Sequence, residues 1–431
     1  MITRAEDSSP SPLSRFEERS LNVTCERVTE AASKNGGDAG SLADSWPSPG
    51  LAELIERDRE FWTGKRALVT GAFGFVGGHL SRALHAAGAE VGALDCDTRP
   101  AHGSQIDLAG LRDCLEVIEA DITDHLRMRE IVREGRYDFI FHLAAGATTV
   151  EKAMQDPYAT ILANTMGYVN MAEAVRALPV NQRPVLLYSS TDKVYGESEN
   201  LPYDEQKSEL RGVGVYDAAK LAADIFSGTY HQALGLQTVV LRMCNLFGPC
   251  DFNTDYRLIP KAMRNIFMSH DAPELYFGSL HHHRDYLYVE DAARAFMLLA
   301  REPSCRGHVF NLPGVRYSAT PDIVRDVVAT LATMQDEAQR GAGDLRLANL
   351  VWGRFIRLTE AVSGVVTISK QHLSGTKIKS FTGFTPAVSF PEGLRRTILF
   401  YFWYFNQPAA QQRRGGTSGV AQPAQTGSGR V

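Results

Sequence analysis

Two short runs hold side chains that can move protons. In Tyr216-Asp217-Ala218-Ala219-Lys220 a phenol and an ammonium stand at i and i+4, which puts them on one face of a helix. A phenol with its usual pKa of about 10 is a poor base at neutral pH. A neighbouring cation favours the phenolate, and Tyr216 could then take a proton from a hydroxyl. The second run, Tyr188-Ser189-Ser190-Thr191-Asp192-Lys193-Val194-Tyr195-Gly196, sets a hydroxyl, a carboxyl and an amine side by side at Thr191, Asp192 and Lys193. A paired proton donor and acceptor is what elimination of water between adjacent carbons requires. Lysine serves as a base only where burial or nearby positive charge brings its pKa toward neutrality. Plainer explanations compete: a surface Tyr/Lys pair at helical spacing, and a solvent-exposed ion pair at a strand end.

Positioning such groups falls to a repeated pattern of short apolar strand, turn and amphipathic helix. It begins at Ala67-Leu68-Val69-Thr70, continues with Leu80, Ala83, Leu84 and Ala87 on one helix face, and returns at Val91-Gly92-Ala93-Leu94-Asp95. Further strands are expected at 139–143, 185–188 and 238–242, with one return to the sheet near 308–311. Uninterrupted apolar strands alternating with helices imply a parallel sheet covered on both faces. The fold class is α/β: a Rossmann-like doubly wound parallel sheet, with a smaller discontinuous α/β lobe for substrate. Thr70 leads into Gly71-Ala72-Phe73-Gly74-Phe75-Val76-Gly77, a G-x-x-G-x-x-G turn opening a helix, whose amides and dipole suit a pyrophosphate. Asp95 ends the next strand about 20 residues on, where a carboxylate accepts from ribose hydroxyls and repels a 2′-phosphate. NAD is therefore expected rather than NADP.

Over about residues 61 to 405 the chain resembles the extended short-chain dehydrogenase/reductase family of nucleotide-sugar epimerases and dehydratases. The resemblance adds Asp121 and Ile122 near the adenine, Leu143, Ala144 and Ala145 passing under the cofactor, and Asn164 as the family's helix asparagine. It gives Tyr216 and Lys220 contacts with the cofactor as well as the chemical role, and puts Thr191 at the hydroxyl position beside the sugar O-4. It also implies a cycle: oxidation at C-4, removal of the acidified C-5 proton with loss of the C-6 hydroxyl, and return of the hydride to C-6. Similar dTDP-glucose 4,6-dehydratases carry Thr-Asp-Glu, and this chain departs at Lys193. Its Thr-Asp-Lys resembles CDP-glucose 4,6-dehydratases and some UDP-N-acetylglucosamine dehydratases, as Phe61-Trp62-Thr63-Gly64-Lys65-Arg66 resembles the CDP-glucose group. Asp192 is read as acid and Lys193 as base, with the exchanged roles as the alternative. The expected activity is an NDP-sugar 4,6-dehydratase, with an epimerase as the second reading and a non-catalytic dinucleotide sensor as the third.

Further matches to the family place Asn245 at the substrate diphosphate, Arg257, Leu258 and Pro260 beside the nucleotide base, and Arg284 in a later arginine loop. For Arg284 the structural alternative is an ion pair with Asp285 or Asp291. The run Arg284-Asp285-Tyr286-Leu287-Tyr288-Val289-Glu290-Asp291 has the general family form, which leaves UDP, GDP and dTDP sugars open. No metal is expected, since the consecutive His281, His282 and His283 cannot all face one ion from an extended strand.

The 431 residues are 44% apolar and 22% charged with a formal net charge of -5, which gives no general basic bias toward nucleic acid. Six cysteines without close pairing fit a reducing cytoplasm, and the aromatic run 398–405 is too short to cross a membrane and reads as a last helix packed on the core. Residues 1–50 and 406–431 read as disordered; Asn22-Val23-Thr24, a chance glycosylation match, falls in the first of these. The cofactor domain is expected over 61–242, with a return near 285–312, and the substrate lobe over 243–405. The polar stretch 334–348 is expected to be a loop. Family resemblance implies a homodimer through the helices around Asn164 and Tyr216.

Overall fold

The computed structural model describes residues 46–269, 271–339, 357–359 and 368–407. Their strands are, in order, β1 (Arg66–Thr70), β2 (Glu90–Asp95), β3 (Glu116–Glu119), β4 (Phe139–His142), β5 (Val185–Thr191), β6 (Thr238–Met243), β7 (Asn245–Phe247), β8 (Glu274–Tyr276), β9 (His283–Tyr288), β10 (Val309–Leu312), β11 (Arg316–Ala319), β12 (Arg357–Thr359) and β13 (Lys370–Gln371). Seven make one sheet in the order β3-β2-β1-β4-β5-β6-β10, with every pairing parallel.

Alternation along the strands shows why the apolar runs are uninterrupted. Ala67, Val69, Phe141, Leu187 and Leu241 enter the core on one face of the sheet, while Leu68, Ile140, Leu186 and Val240 enter the core on the other. Both faces of the inner strands are buried, so both sets of alternate positions are mostly apolar. Strand order reverses between β1 and β4, and a ligand crevice is expected there, at the carboxyl ends of the strands. β5 runs three residues beyond the expected Tyr188, so Thr191 closes a fully buried strand.

A third core holds the smaller part together. The helices Leu258–Phe267, Thr320–Gln339 and Phe390–Asn406 pack on one another, burying Ile259, Met263, Ile323, Val327, Leu394, Ile398 and Tyr401 with Phe247 and Tyr288 of β7 and β9. β9 pairs antiparallel with β11 and parallel with both β13 and β7, which meet successive halves of it. The aromatic run 398–405 thus lies in a packed helix, and no helix among the described residues is long and apolar enough to cross a membrane.

Two expectations are corrected. The described fold begins before residue 51: the helix Pro49–Arg57 buries Leu51 and Leu54, and the Ser48 amide donates to the buried Glu290 carboxylate at 2.6 Å. The stretch expected as a loop from 334 is helical as far as Gln339, because Met334 continues the face carried by Ile323, Val327 and Leu331 into the third core. The remainder of that stretch, 340–348, lies outside the described residues, as do 1–45 and 408–431.

Candidate active site

A cleft of about 960 Å³ opens at the carboxyl ends of the central strands and reaches the smaller part of the fold. That is the upper end of the usual range for ligand sites, roughly 300–1,000 Å³. At one end the glycine turn is a conformational necessity. Gly71 has φ +71°, and a Cβ on Gly77 would stand 2.0 Å from the Gly71 carbonyl oxygen. The helix Phe75–Ala86 can therefore approach the turn only with glycine there. Gly74 supplies no capping side chain, leaving the first amides of the helix for an anion, and Phe73, Phe75 and Val76 line the same wall.

Asp95 is fixed by the turn, its Oδ2 accepting the Phe73 N–H at 3.0 Å, and burial pushes its carboxyl upward. Asp121 and Ile122 line the cleft, Asp121 also taking the Thr123 amide and hydroxyl at 2.8 Å. Leu143, Ala144 and Ala145 form the floor, tied back by the Ala144 amide to the Thr70 hydroxyl at 3.2 Å. Asn164, a cofactor-binding residue by family resemblance, does not line the cleft. It is buried behind the lining in a π-turn, Leu162–Met166, with Oδ1 accepting from Gly146 N–H at 2.9 Å and Nδ2 donating to the Ala147 carbonyl. Both ends of the amide are spent on the loop after β4, so Asn164 shapes the floor and leaves ligand contact to its neighbours. Free helix amides, glycine positions closed to a Cβ and a strand-end carboxylate together fit a dinucleotide.

Where β5 ends, Thr191 donates to Asp192 Oδ1 at 3.1 Å and accepts the Lys193 N–H at 3.3 Å. Asp192 is 3% exposed and its Oδ2 has no partner; burial raises its pKa to about 6, against Lys193 and Arg284. Burial lowers the Lys193 pKa, with Arg284 acting in the same direction. Acid and base are thus both drawn toward neutrality. Tyr216 is pushed up to about 12, first by burial, with Arg257 the leading opposing charge. The Lys220 ammonium donates to the Ser189 carbonyl at 3.0 Å, and burial lowers it to about 8.

Beneath these groups lies a buried polar network. Arg242 holds Asp224 through two bonds of 2.8 and 3.0 Å, Ser190 donates to Asp224 at 2.9 Å, and Tyr195 joins Arg242 to Asn311 at 2.8 and 2.7 Å. It fixes both ends of the segment carrying Thr191, Asp192 and Lys193.

Asn245 has a buried Nδ2 without a partner, while Leu258 and Pro260 line the cleft. Arg257 pairs with Asp251 at 3.1 Å, and the Asp251 carbonyl accepts the Tyr401 hydroxyl, so the last helix helps to set the arginine. Arg284 also lines the cleft and makes neither expected ion pair. Asp285 engages His372, and Asp291 engages Arg294. Its guanidinium instead donates to the carbonyls of His283, Ser369 and Ile368. The cleft therefore gathers every expected site residue except Asn164. It also includes Glu151, Asp217, His282 and Ile368, which sequence reasoning missed. Asp217 left a trace as an acidic residue inside the Tyr-Lys motif; Ile368 left none.

Residues 67–312 match the sequence model of the NAD dependent epimerase/dehydratase family. The chain is 27% identical over 344 residues to dTDP-glucose 4,6-dehydratase of Streptomyces niveus, covering 78% of this chain and 92% of that one. It is 25% identical over 395 residues to UDP-glucuronate 4-epimerase 2 of Arabidopsis thaliana, covering 84% and 82%. Among solved structures it is similar to dTDP-glucose 4,6-dehydratase from Bacillus anthracis in complex with NAD, with a TM-score of 0.66, 19% identity, and coverage of 81% of this chain and 99% of that one.

Proposed function

Since the chain belongs to the NAD-dependent epimerase/dehydratase family, we propose that within it this enzyme is a nucleotide-sugar 4,6-dehydratase, converting an NDP-hexose to its 4-keto-6-deoxy form. The observation that carries the reading is the pair of buried Asp192 and half-buried Lys193, both lining the cleft beside Thr191 and shifted in opposite directions toward neutral pH. Bound NAD supplies a hydride acceptor for C-4 and a donor for C-6. Tyr216 takes the O-4 proton while Thr191 holds that oxygen. Lys193, as free amine, removes the C-5 proton; Asp192, as carboxylic acid, protonates the C-6 hydroxyl, which leaves as water. Lys193 then returns its proton to C-5 as hydride reaches C-6. Asn245 and Arg257 are assigned to the diphosphate and nucleotide, with Leu258, Pro260 and Arg284 completing the wall.

An epimerase would need only Thr191, Tyr216 and Lys220, and a relative of similar identity bears an epimerase name. Incubation with a panel of nucleotide sugars in heavy water separates the two. Loss of water with deuterium at C-5 is the expected result, and an isomer of unchanged composition would overturn it. Lys193→Ala should oxidise C-4 without eliminating water.

Tyr158, Ile161, Met166, Ile225 and Phe226 expose large apolar side chains on the packed segments around Asn164 and the helix Val215–Leu234. This supports a homodimer through that face, for which sedimentation should give twice the chain mass and Ile225→Asp half of it. A reducing cytoplasm suits the unpaired Cys96, Cys114, Cys244, Cys250 and Cys305.

A further inference from the structure

Asp217 stands one residue after Tyr216, at the third position of the helix Val215–Leu234. A carboxylate there has an ordinary task, and Asp217 performs it with one oxygen: Oδ2 accepts the Gly214 N–H at 3.1 Å. The task leaves the other oxygen unexplained. Oδ1 is buried without a partner in a residue 2% exposed, and that residue lines the same cleft as Lys193. A helix cap on the surface would turn its spare oxygen to water. Here the cap fixes the carboxylate and leaves Oδ1 buried and unpaired in a residue that lines the cleft.

Around Lys193 the charges divide by element. Arg284 from β9 opposes its protonation, and His282, which precedes that strand, lines the same wall. Asp192 beside it, Asp217 from the long helix and Glu151 from the helix Val150–Gln155 favour it, all through space. Asp192 must carry a proton to act as acid, and Glu151 lies on a short separate helix. Asp217 is the carboxylate whose orientation the fold itself fixes.

We propose that Asp217 is a positioning residue for Lys193, the fixed counter-charge that holds the ammonium formed when the lysine takes the C-5 proton. The inference rests on Lys193 being the base. In the step concerned, the C-5–H bond breaks, its proton passes to Nζ, and its electron pair expels the C-6 oxygen as water with the proton from Asp192. A cation is created at Nζ within the cleft, and its formation is easier opposite a carboxylate already in position than in a site that must reorganise.

Asp217→Asn separates this role from capping, since the amide oxygen can still accept from Gly214 while the charge is gone; Asp217→Ser offers a hydroxyl for the same bond should the amide disturb folding. Two readouts are taken on NAD-loaded enzyme. The Lys193 titration is followed by NMR on protein carrying carbon-13 in its lysine side chains, with the signal assigned through Lys193→Arg. Its midpoint is expected to fall by about one pH unit in Asp217→Asn. The limb of the pH profile for water loss that follows Lys193 should move to lower pH with it, and Asp217→Glu should restore part of both. A Lys193 midpoint equal to that of the wild type in both charge-free variants would overturn the proposal. A shifted midpoint in an enzyme that dehydrates no sugar would uphold the charge coupling and sink the dehydratase reading instead.

Discussion

Asp192→Asn should make the protein more stable at pH 8 while ending elimination. The wild-type carboxyl is 3% exposed, and its pKa rises from 3.8 to about 6 on burial. An unfolded Asp192 loses its proton near 3.8, whereas the folded one keeps it until about 6. Across that interval the folded state binds more protons, so stability falls as pH rises. Above it the cost is complete, about 3 kcal/mol at roughly 1.4 kcal/mol per pH unit. Asparagine keeps the volume and the acceptor for Thr191 but cannot ionise. Part of the gain is lost because the new amide also lacks a partner and because Lys193 and Arg284 lose a neighbouring anion. The net expectation is about 1–2 kcal/mol in favour of Asp192→Asn at pH 8, vanishing toward pH 4. Urea unfolding at pH 4, 6 and 8 measures it. A variant less stable at pH 8, or a difference independent of pH, would refute the argument.

Gly77→Ala places a methyl 2.0 Å from the Gly71 carbonyl oxygen and should weaken NAD at least tenfold, about 1.4 kcal/mol, read by calorimetric titration. Asp95→Ala should lose affinity for NAD by about tenfold and narrow the preference over NADP, which competitive titration of both dinucleotides checks. Asp224→Ala strands the buried Arg242 and should cost about 3–5 kcal/mol in urea unfolding, much of it recovered when Arg242→Met is added. A nucleoside diphosphate alone should raise the melting temperature less than the matching nucleotide sugar, as scanning calorimetry would show.

The inner strands were legible because they are buried on both faces: Leu68 and Val69 point to different cores, yet both must be apolar, and the run announces itself, whereas the edge strand β3, only partly buried, gave no such run. The glycine turn was equally plain, since Gly71 and Gly77 answer a backbone requirement that no other residue meets. Asp192 and Lys193 stood out as neighbours. What stayed hidden was work shared between distant segments. Nothing near Arg284 indicates that it binds carbonyls some 84 and 85 residues away, and nothing near Asn164 tells a ligand contact from a brace on Gly146 and Ala147. The helix past 334 was lost for a related reason. Polar composition suggested a loop, whereas one buried residue, Met334, keeps the helical face in contact with the third core.

The unmade hydrogen bonds of the cleft carry information about its ligand. Oδ2 of Asp192 and Oδ1 of Asp217 lack donors, while Nδ2 of Asn245 and of Asn253 lack acceptors. All four residues line the cleft, and each unmade bond costs about 1–3 kcal/mol until a ligand supplies the partner. The carboxylate oxygens call for donors such as the hydroxyls of a hexose, and the amide groups call for acceptors such as phosphate oxygens. A ligand that cancels both sets must present both donors and anionic acceptors, as a nucleotide sugar does. A nucleotide without its sugar leaves the carboxylates unpaired, so the part of the binding energy that depends on the hexose is realised beside the groups that carry out the chemistry.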